Sequence, residues 1–426
     1  MSQKVAIIGT GIAGMTSAYL LNDKADITVY EANDYIGGHT ATKSVEHKGN
    51  TYAIDTGFIV YNEWTYPNFI KLMGKLGVVT QPTEMSFSVK NQANGMEYNG
   101  NTINSLFAQR RNILSPRFWR LVLDIVKFNK VCKAHIEAGK DSDNISLIDF
   151  IQQHNLSDTF TKNYILPMCA AIWSTSLEAS ANFPLSFFLK FFNNHGLLNI
   201  VNRPQWFTLV GGSSEYIAPL THSFKDKIKL NSPVTKVSKT ETGYALTSNN
   251  EVSLYDHVIF ACHSDQALRM LDLPSFNESM QENYSNVLGA IPYASNEVVM
   301  HTDTSLLPKR PLAWASWNYL ITGTSNEQNA PAAVTYNMNI LQRLQSDTTF
   351  CVTLNNTPAI DPSKILRTYH YAHPQFSPEM VNAQQKRALI CGVDGIHFCG
   401  AYWYNGFHED GVKSALDVAN RFGASL

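Results

Sequence analysis

The chain has 426 residues, enough for two or three domains or one large α/β body carrying an insertion. Its hydrophobic fraction of 44% is ordinary, its charged fraction of 16% is low, and its net charge is −2. With no continuous Lys/Arg block, these values argue against recognition of nucleic acid. The six cysteines, Cys132, Cys169, Cys262, Cys351, Cys391 and Cys399, show no Cys-x-x-Cys spacing and no zinc-type pairing with histidine, so reduced thiols are expected. No apolar stretch is long enough to span a bilayer, and because the first strand is expected to start within three residues of the amino terminus, no leader peptide is expected. A cytoplasmic protein is therefore expected.

The first element in chain order is the apolar run Lys4-Val-Ala-Ile-Ile, followed by Gly9-Thr-Gly11-Ile12-Ala13-Gly14, a helical stretch, and Ile27-Thr-Val-Tyr-Glu31-Ala32. Strand, Gly-x-Gly-x-x-Gly turn, helix, strand and terminal acid together predict a dinucleotide-binding βαβ unit. Gly9 permits the tight turn, Gly11 lets the backbone approach a pyrophosphate, and Gly14 lets the helix pack on the strand. Helix amides starting near Ile12 and Ala13 would face the phosphates, and Glu31 would accept from the adenosine ribose. Gly37-Gly38-His39 follows after a short turn. Ala53-Ile-Asp55-Thr56-Gly57-Phe58-Ile-Val-Tyr61 then places a strand and a glycine near the expected isoalloxazine ring.

Segment 105–136 reads as a helix with Phe118, Trp119, Leu121, Val122, Ile125, Val126 and Phe128 on its apolar side. Segment 183–198 is the most aromatic part of the chain. Helix core between layers is the favoured reading, with a substrate-tunnel wall or a lipid-facing surface as the sharper alternative. Strand signals return from Trp206 to Cys262, where Val234 is placed to meet the adenine and Ala261 ends a strand. Trp314 and Trp317, separated by small residues, are read as sharing one strand face, either core or pocket wall. They join Tyr61, Trp173, Asn318, Tyr369, His370, His373 and Phe407 as candidate pocket residues. A histidine of Tyr369-His-Tyr-Ala-His373 is a candidate to take the proton that accompanies hydride loss.

The final segment gives a strand to Cys399, then Gly400-Ala401, a loop, and Gly406-Phe407-His408-Glu409-Asp410-Gly411-Val412 opening a helix. Amides at a helix start stabilise the negative charge of a reduced flavin, and Glu409 or Asp410 would bond the ribityl chain or cap the helix. The expected domain pattern is cofactor segments at 1–80, 206–265 and 386–426, with substrate segments at 81–205 and 266–385.

These motifs resemble the flavin-containing amine oxidase and phytoene desaturase superfamily over essentially the whole length. Gly9, Gly11, Gly14, Glu31, Gly37, Gly38, Val234, Gly400 and the run from Phe407 match its FAD-binding positions. The wording at 54–62, Arg203-Pro-Gln-Trp206 before Gly211-Gly212-Ser213, 314–318 and 406–411 resembles a narrower bacterial group of NAD/FAD-binding proteins. Its genes often accompany cyclopropane-fatty-acyl synthase-like methyltransferases, and it is similar to the methyl-fatty-acid desaturase of furan fatty acid synthesis. The resemblance implies an α/β fold: a Rossmann-like FAD-binding domain of glutathione-reductase type with an inserted α+β substrate domain.

It also implies non-covalent FAD, since no cysteine lies between Gly400 and Gly411. The residues themselves make Tyr61, Trp317, His370, His373 and Phe407 the candidate catalytic positions, with a satisfied structural histidine as the alternative for each of the two histidines. A modified fatty acyl chain is the implied substrate, perhaps esterified in phospholipid, with contact at the inner membrane face and a lipid-modifying enzyme as partner. Two positions depart from the superfamily: His39 stands where Arg is common, and Phe407 where amine oxidases commonly carry Tyr or Trp. An amine oxidase, and a flavoprotein partner without turnover, are the competing functions. A pyridine-nucleotide reductase fits less well because there is a single dinucleotide fingerprint.

Overall fold

In the computed structural model, which describes residues 2–139, 145–323 and 332–426, five parallel strands form the cofactor-side sheet. Their order across the sheet is Ile228–Lys229, Asp26–Tyr30, Lys4–Ile8, His257–Phe260 and Ile396–Phe398. Val5, Ala6, Ile7, Val258 and Ile259 are fully buried, which is why these strands read as apolar runs without alternation. Helices Ile12–Leu21 and His408–Ala419 both start at the carboxyl ends of strands of this sheet. Crevices at such ends are where open α/β sheets bind ligands. An antiparallel meander, Val234–Lys239, Tyr244–Ser248 and Glu251–Tyr255, belongs to the same core.

The second body is a seven-stranded mixed sheet. Its order is Ile365–Pro374, Tyr293–His301, Cys351–Leu354, Val334–Asn337, Trp317–Ile321, Phe87–Asn91 and Met96–Asn99. Only Trp317–Ile321 and Phe87–Asn91 run parallel. One apolar core joins Val89, Tyr98 and Val334 of this sheet to the helical segment, including Phe118, Phe128, Phe150 and Phe188. Val60–Asn62, Trp206–Leu209 and Thr80–Thr83 make a small antiparallel sheet.

Two expectations change here, and for the aromatic stretch the favoured reading as helix core holds. The helix expected over 105–136 divides: Ile103–Leu106 and the 3-10 turn Arg110–Leu114 precede Pro116–Glu137. Pro116 cannot donate an intrahelical bond, but it suits a helix's first turn, and the Ser115 side chain accepts from Phe118 N at 3.3 Å. Phe118, Leu121 and Phe128 are buried, whereas Trp119 and Val126 are 43% and 46% exposed. In the aromatic stretch, Phe183, Phe188, Leu189, Phe191 and Phe192 are all buried around helix Leu185–Asn194, so this stretch is interior and cannot rest on lipid. Trp314 follows a 3-10 turn while Trp317 opens a strand, so they share no strand face. No described helix is long and apolar enough to cross a membrane.

Candidate cofactor and substrate site

The glycine turn is held by steric fit. Gly9 has φ +106°, and a Cβ there would lie 2.7 Å from the Ala261 carbonyl oxygen. A Cβ on Gly14 would lie 2.0 Å from Gly9 O. Gly11 differs: a Cβ there would meet no protein atom within 4 Å. It precedes helix Ile12–Leu21, which has no side-chain cap, leaving its first amides available to an anion.

Glu31 is buried at the end of its strand. One carboxylate oxygen accepts from Thr10 N (3.0 Å) and Thr10 Oγ1 (2.5 Å), the other from Asn33 N (2.9 Å) and Nδ2 (2.8 Å). A ribose would therefore exchange with one of these donors, most readily the side chain of exposed Asn33. Ala32 beside it is exposed. Ser232 N donates to Glu31 O at 2.8 Å, which brings the start of the Val234 strand to the same edge.

The second glycine pair abuts the first. A Cβ on Gly38 would come within 3.4 Å of Gly11 Cα, and Gly37 N donates to Thr10 Oγ1 at 3.3 Å. His39 lies 5.8 Å from His263, 5.5 Å from His373 and 5.4 Å from Tyr371 between ring centres. Burial, with these two imidazoles, pushes its pKa down to about 3, so the ring is neutral where an arginine would be charged. Its Nε2 is buried without a hydrogen-bond partner. A Cβ on Gly57 would lie 2.2 Å from His39 O, and Phe58 N donates to that oxygen at 3.0 Å. Thr56 Oγ1 lies 2.8 Å from Tyr371 Oη. The glycine cradle, the uncapped helix start and the unpaired His39 nitrogen fit a dinucleotide whose phosphates are met by backbone amides.

Asp55 locks the surrounding loops. It accepts from Ser213 N and Oγ (2.9 Å each), Thr42 Oγ1 (2.5 Å) and Gln342 Nε2 (2.9 Å), and burial raises its pKa to about 6. The turn Gly211-Gly212-Ser213 is thus joined to the end of strand Asn50–Asp55, which leads directly into Thr56 and Gly57.

Strand Ile396–Phe398 leads to Gly400, whose N–H donates to Ser414 Oγ at 2.8 Å, and to Ala401 at the start of a 3-10 turn. A Cβ on Gly411 would press within 2.6 Å of Ile12 Cγ2, so this glycine lets the two helix starts converge, with Val412 buried alongside. The two acids act as caps. Asp410 accepts from Phe407 N at 2.9 Å in its own helix. Glu409 accepts from Phe69 N (2.8 Å), Asn68 N (3.2 Å) and Asn68 Nδ2 (2.6 Å) at the start of helix Pro67–Leu76. Flavin contact at this helix start is left to the backbone, not to the carboxylates. Glu409→Ala should lower stability by about 1–2 kcal/mol, because three donors lose their acceptor. An unchanged urea midpoint would contradict the capping role. His408 stacks on Phe58 (3.7 Å, 9°), lies 3.1 Å from both Tyr216 Oη and Thr40 Oγ1, and is held neutral by burial, its pKa near 3.

On the substrate side, Phe407 stacks on Phe191 (5.4 Å, 25°) and Phe187 stacks on Phe376 (5.0 Å, 21°). Trp173 lies against Phe183, Phe187 and Phe191, its Nε1 buried without a partner. His195 stacks on Phe191 at 3.9 Å and lies 5.7 Å from Phe407. A cleft of about 360 Å³ opens beside Phe407 and His195, bordered by Trp64, Asn405, Glu409, Asp410 and Lys413.

Several candidates fall outside this group. His370 is exposed, on the opposite side of its strand from Tyr371 and His373, as the period of two requires. His370→Ala should leave flavin reduction unchanged, and a tenfold drop would return it to the site. His373 faces His39 on the dinucleotide side, with Asn296 Nδ2 at 3.1 Å from its Nδ1. Tyr61 is buried between Phe207 and Phe69. Trp317 packs on Tyr336, Trp314 Nε1 donates to Pro308 O at 2.8 Å, and Tyr369 packs beside Tyr371. Asn318 spends its side chain on Ser88, Ala315 and Thr335, a core role. His195, His263 and Phe376 were not singled out from sequence. His195 carried a signal, since it sits one helical turn after Phe191.

The chain matches the flavin containing amine oxidoreductase family over residues 12–340. It belongs to that family. This is a family of FAD-dependent oxidoreductases, and FAD is the cofactor the glycine cradle accommodates. The family member amine oxidase [flavin-containing] A of Sus scrofa is 26% identical over 269 residues, covering 60% of this chain and 49% of that protein. The chain thus matches about half the length of such curated relatives. Cyclohexylamine oxidase from Brevibacterium oxydans shares the fold, with a TM-score of 0.68 at 15% identity and 99% of each chain covered. So does a CLA-producing fatty acid isomerase from P. acnes, with a TM-score of 0.67 at 13% identity, covering 99% of this chain and 98% of that one.

Proposed function

We propose that this family member oxidises or desaturates an apolar chain, a methyl- or cyclopropane-modified fatty acyl group. The observation that carries this reading is the aromatic wall itself. Phe407, Phe191, Phe187 and Phe376 stack in two pairs with no hydroxyl or charge among them. The adjacent carboxylates, Glu409 and Asp410, are committed to backbone amides and cannot pair freely with a substrate ammonium. FAD, when bound, accepts the two electrons of the oxidised bond.

The chain's own residues supply orientation, dryness and a hydrogen-bond acceptor. The phenyl faces align an alkyl chain and keep water out. His195 Nδ1 is 2.9 Å from Phe191 O, so that nitrogen carries the hydrogen and Nε2 is the ring's acceptor. Burial lowers the His195 pKa to about 4, so the ring is neutral and Nε2 can accept a hydrogen bond, but it is a weak base. The amides at the start of helix His408–Ala419 provide partial positive charge.

An amine substrate is the second reading, favoured by the amine oxidase A likeness and by the cyclohexylamine oxidase that shares the fold. The fatty acid isomerase shows that the same fold also serves an acyl chain in another protein. Anaerobic mixing of the purified holoprotein with methyl-branched phospholipids, their free acids and a panel of amines separates the readings. Bleaching of the flavin by acyl substrates alone is expected, and bleaching by amines alone would overturn the acyl assignment. A lipid-modifying enzyme remains the proposed functional partner.

A further inference from the structure

Helix Pro116–Glu137 buries one face and leaves the opposite face strongly apolar. Phe118, Leu121, Phe128 and Cys132 enter the core, whereas Trp119, Leu123 and Val126, at i, i+4 and i+7, are 43%, 61% and 46% exposed. The turn before the helix adds Ile113 at 47% and Leu114 at 88%. The indole fixes this turn to the helix, since Trp119 Nε1 donates to Ile113 O at 2.8 Å. Isolated exposed apolar residues need no explanation, but five on one face and its adjoining turn do.

The charges around them are one-sided. Residues 103–137 hold seven Lys and Arg against two acids, in a chain whose net charge is −2. One of the acids, Asp124, is buried and paired with Arg120 at 3.1 Å. Arg110, Arg111, Arg117, Lys127 and Lys130 are exposed around the apolar stripe. Apolar side chains ringed by cations match the chemistry of an anionic bilayer surface, where the first enter the acyl boundary and the second meet lipid phosphates.

We infer that this face, and not the buried Phe183–Phe192 stretch, docks the protein on membranes carrying anionic lipid. The same helix's inner face shares its apolar core with Phe187, Phe191 and Phe407, so docking sets the aromatic wall within one helix layer of the bilayer. The inference extends the acyl reading without depending on it, because vesicle binding and flavin bleaching are separate readouts.

Flotation of the FAD-loaded protein with phosphatidylcholine vesicles, with and without phosphatidylglycerol, tests it. Binding only to the anionic vesicles, weakened by salt, is expected. Leu114→Ser with Leu123→Ser, and separately Lys127→Glu with Lys130→Glu, should each reduce binding tenfold or more at unchanged melting temperature and flavin content. Either the same binding by these variants, or no preference of the unaltered chain for anionic vesicles, would overturn the inference. A dimer in solution dissociated by Leu114→Ser and Leu123→Ser would assign the face to a second copy of the chain and likewise overturn it.

Discussion

Gly11→Ala should yield a folded but nearly colourless protein. The added methyl meets no protein atom within 4 Å, and Gly11 has φ −63°, so alanine fits the backbone without strain. The methyl would instead occupy the approach to the uncapped helix start, where the pyrophosphate must come close. Overpacking of this kind costs about 1–3 kcal/mol, or roughly 5- to 150-fold in FAD affinity. Circular dichroism and the melting temperature of the FAD-free form should match the unaltered chain. Gly14→Ala makes the contrast, because its Cβ would lie 2.0 Å from Gly9 O and should destabilise even the FAD-free form. If Gly11→Ala bound FAD normally, the turn would be a packing device and not a phosphate cradle.

Acidification should destabilise the fold through its buried histidines. Burial lowers the pKa of His39, His397 and His408 to about 3, and of His195, His301 and His373 to about 4. In the unfolded chain each titrates near pH ~6.5. Between that pH and about 4 the unfolded chain therefore binds more protons, and stability falls as pH falls. Asp410 and Asp55 act in the opposite sense, with folded values raised by burial to about 7 and about 6, so they favour the fold as pH falls towards 4. Six histidines outweigh two carboxylates. Each net proton is worth about 1.4 kcal/mol per pH unit, so a surplus approaching four removes about 5 kcal/mol between pH ~6 and ~5. Melting temperatures across this range read the effect. His301→Gln, at a ring far in sequence from the glycine turns, should flatten the slope by about one proton. A melting temperature that held level or rose towards pH ~5 would contradict the burial of these rings in neutral form.

The cofactor motifs were legible because their information is local. Gly9, Gly11 and Gly14 are fixed by spacing between a strand and a helix, and the Gly411 helix start by the strand before it. Asp55 was not legible in its locking role, because its partners Ser213 and Gln342 lie 158 and 287 residues away in the chain. The helix at 116–137 is apolar on both sides, so periodicity cannot choose which face is core, and Trp119 and Val126, which the pattern places inward, are exposed. For Trp314 and Trp317 a spacing of three, odd for a strand, already argued against a shared face. The same parity separates His370 from His373, and only His373 is drawn into the interior with His39. For Glu409 and Asp410 the sequence leaves ribityl contact and helix capping both open, because a capping carboxylate and a ligating one have the same sequence signature. What distinguishes them is the neighbouring helix start at Asn68 and Phe69, which only the fold supplies.

We propose that three separated stretches of this chain assemble one non-covalent FAD site. Acid denaturation of the purified yellow protein, followed by analysis of the supernatant, tests it most directly. One released FAD per chain is expected, with no colour left on the polypeptide. A flavin retained by the precipitate, a mononucleotide in its place, or a protein that takes up no flavin when FAD is supplied would contradict it.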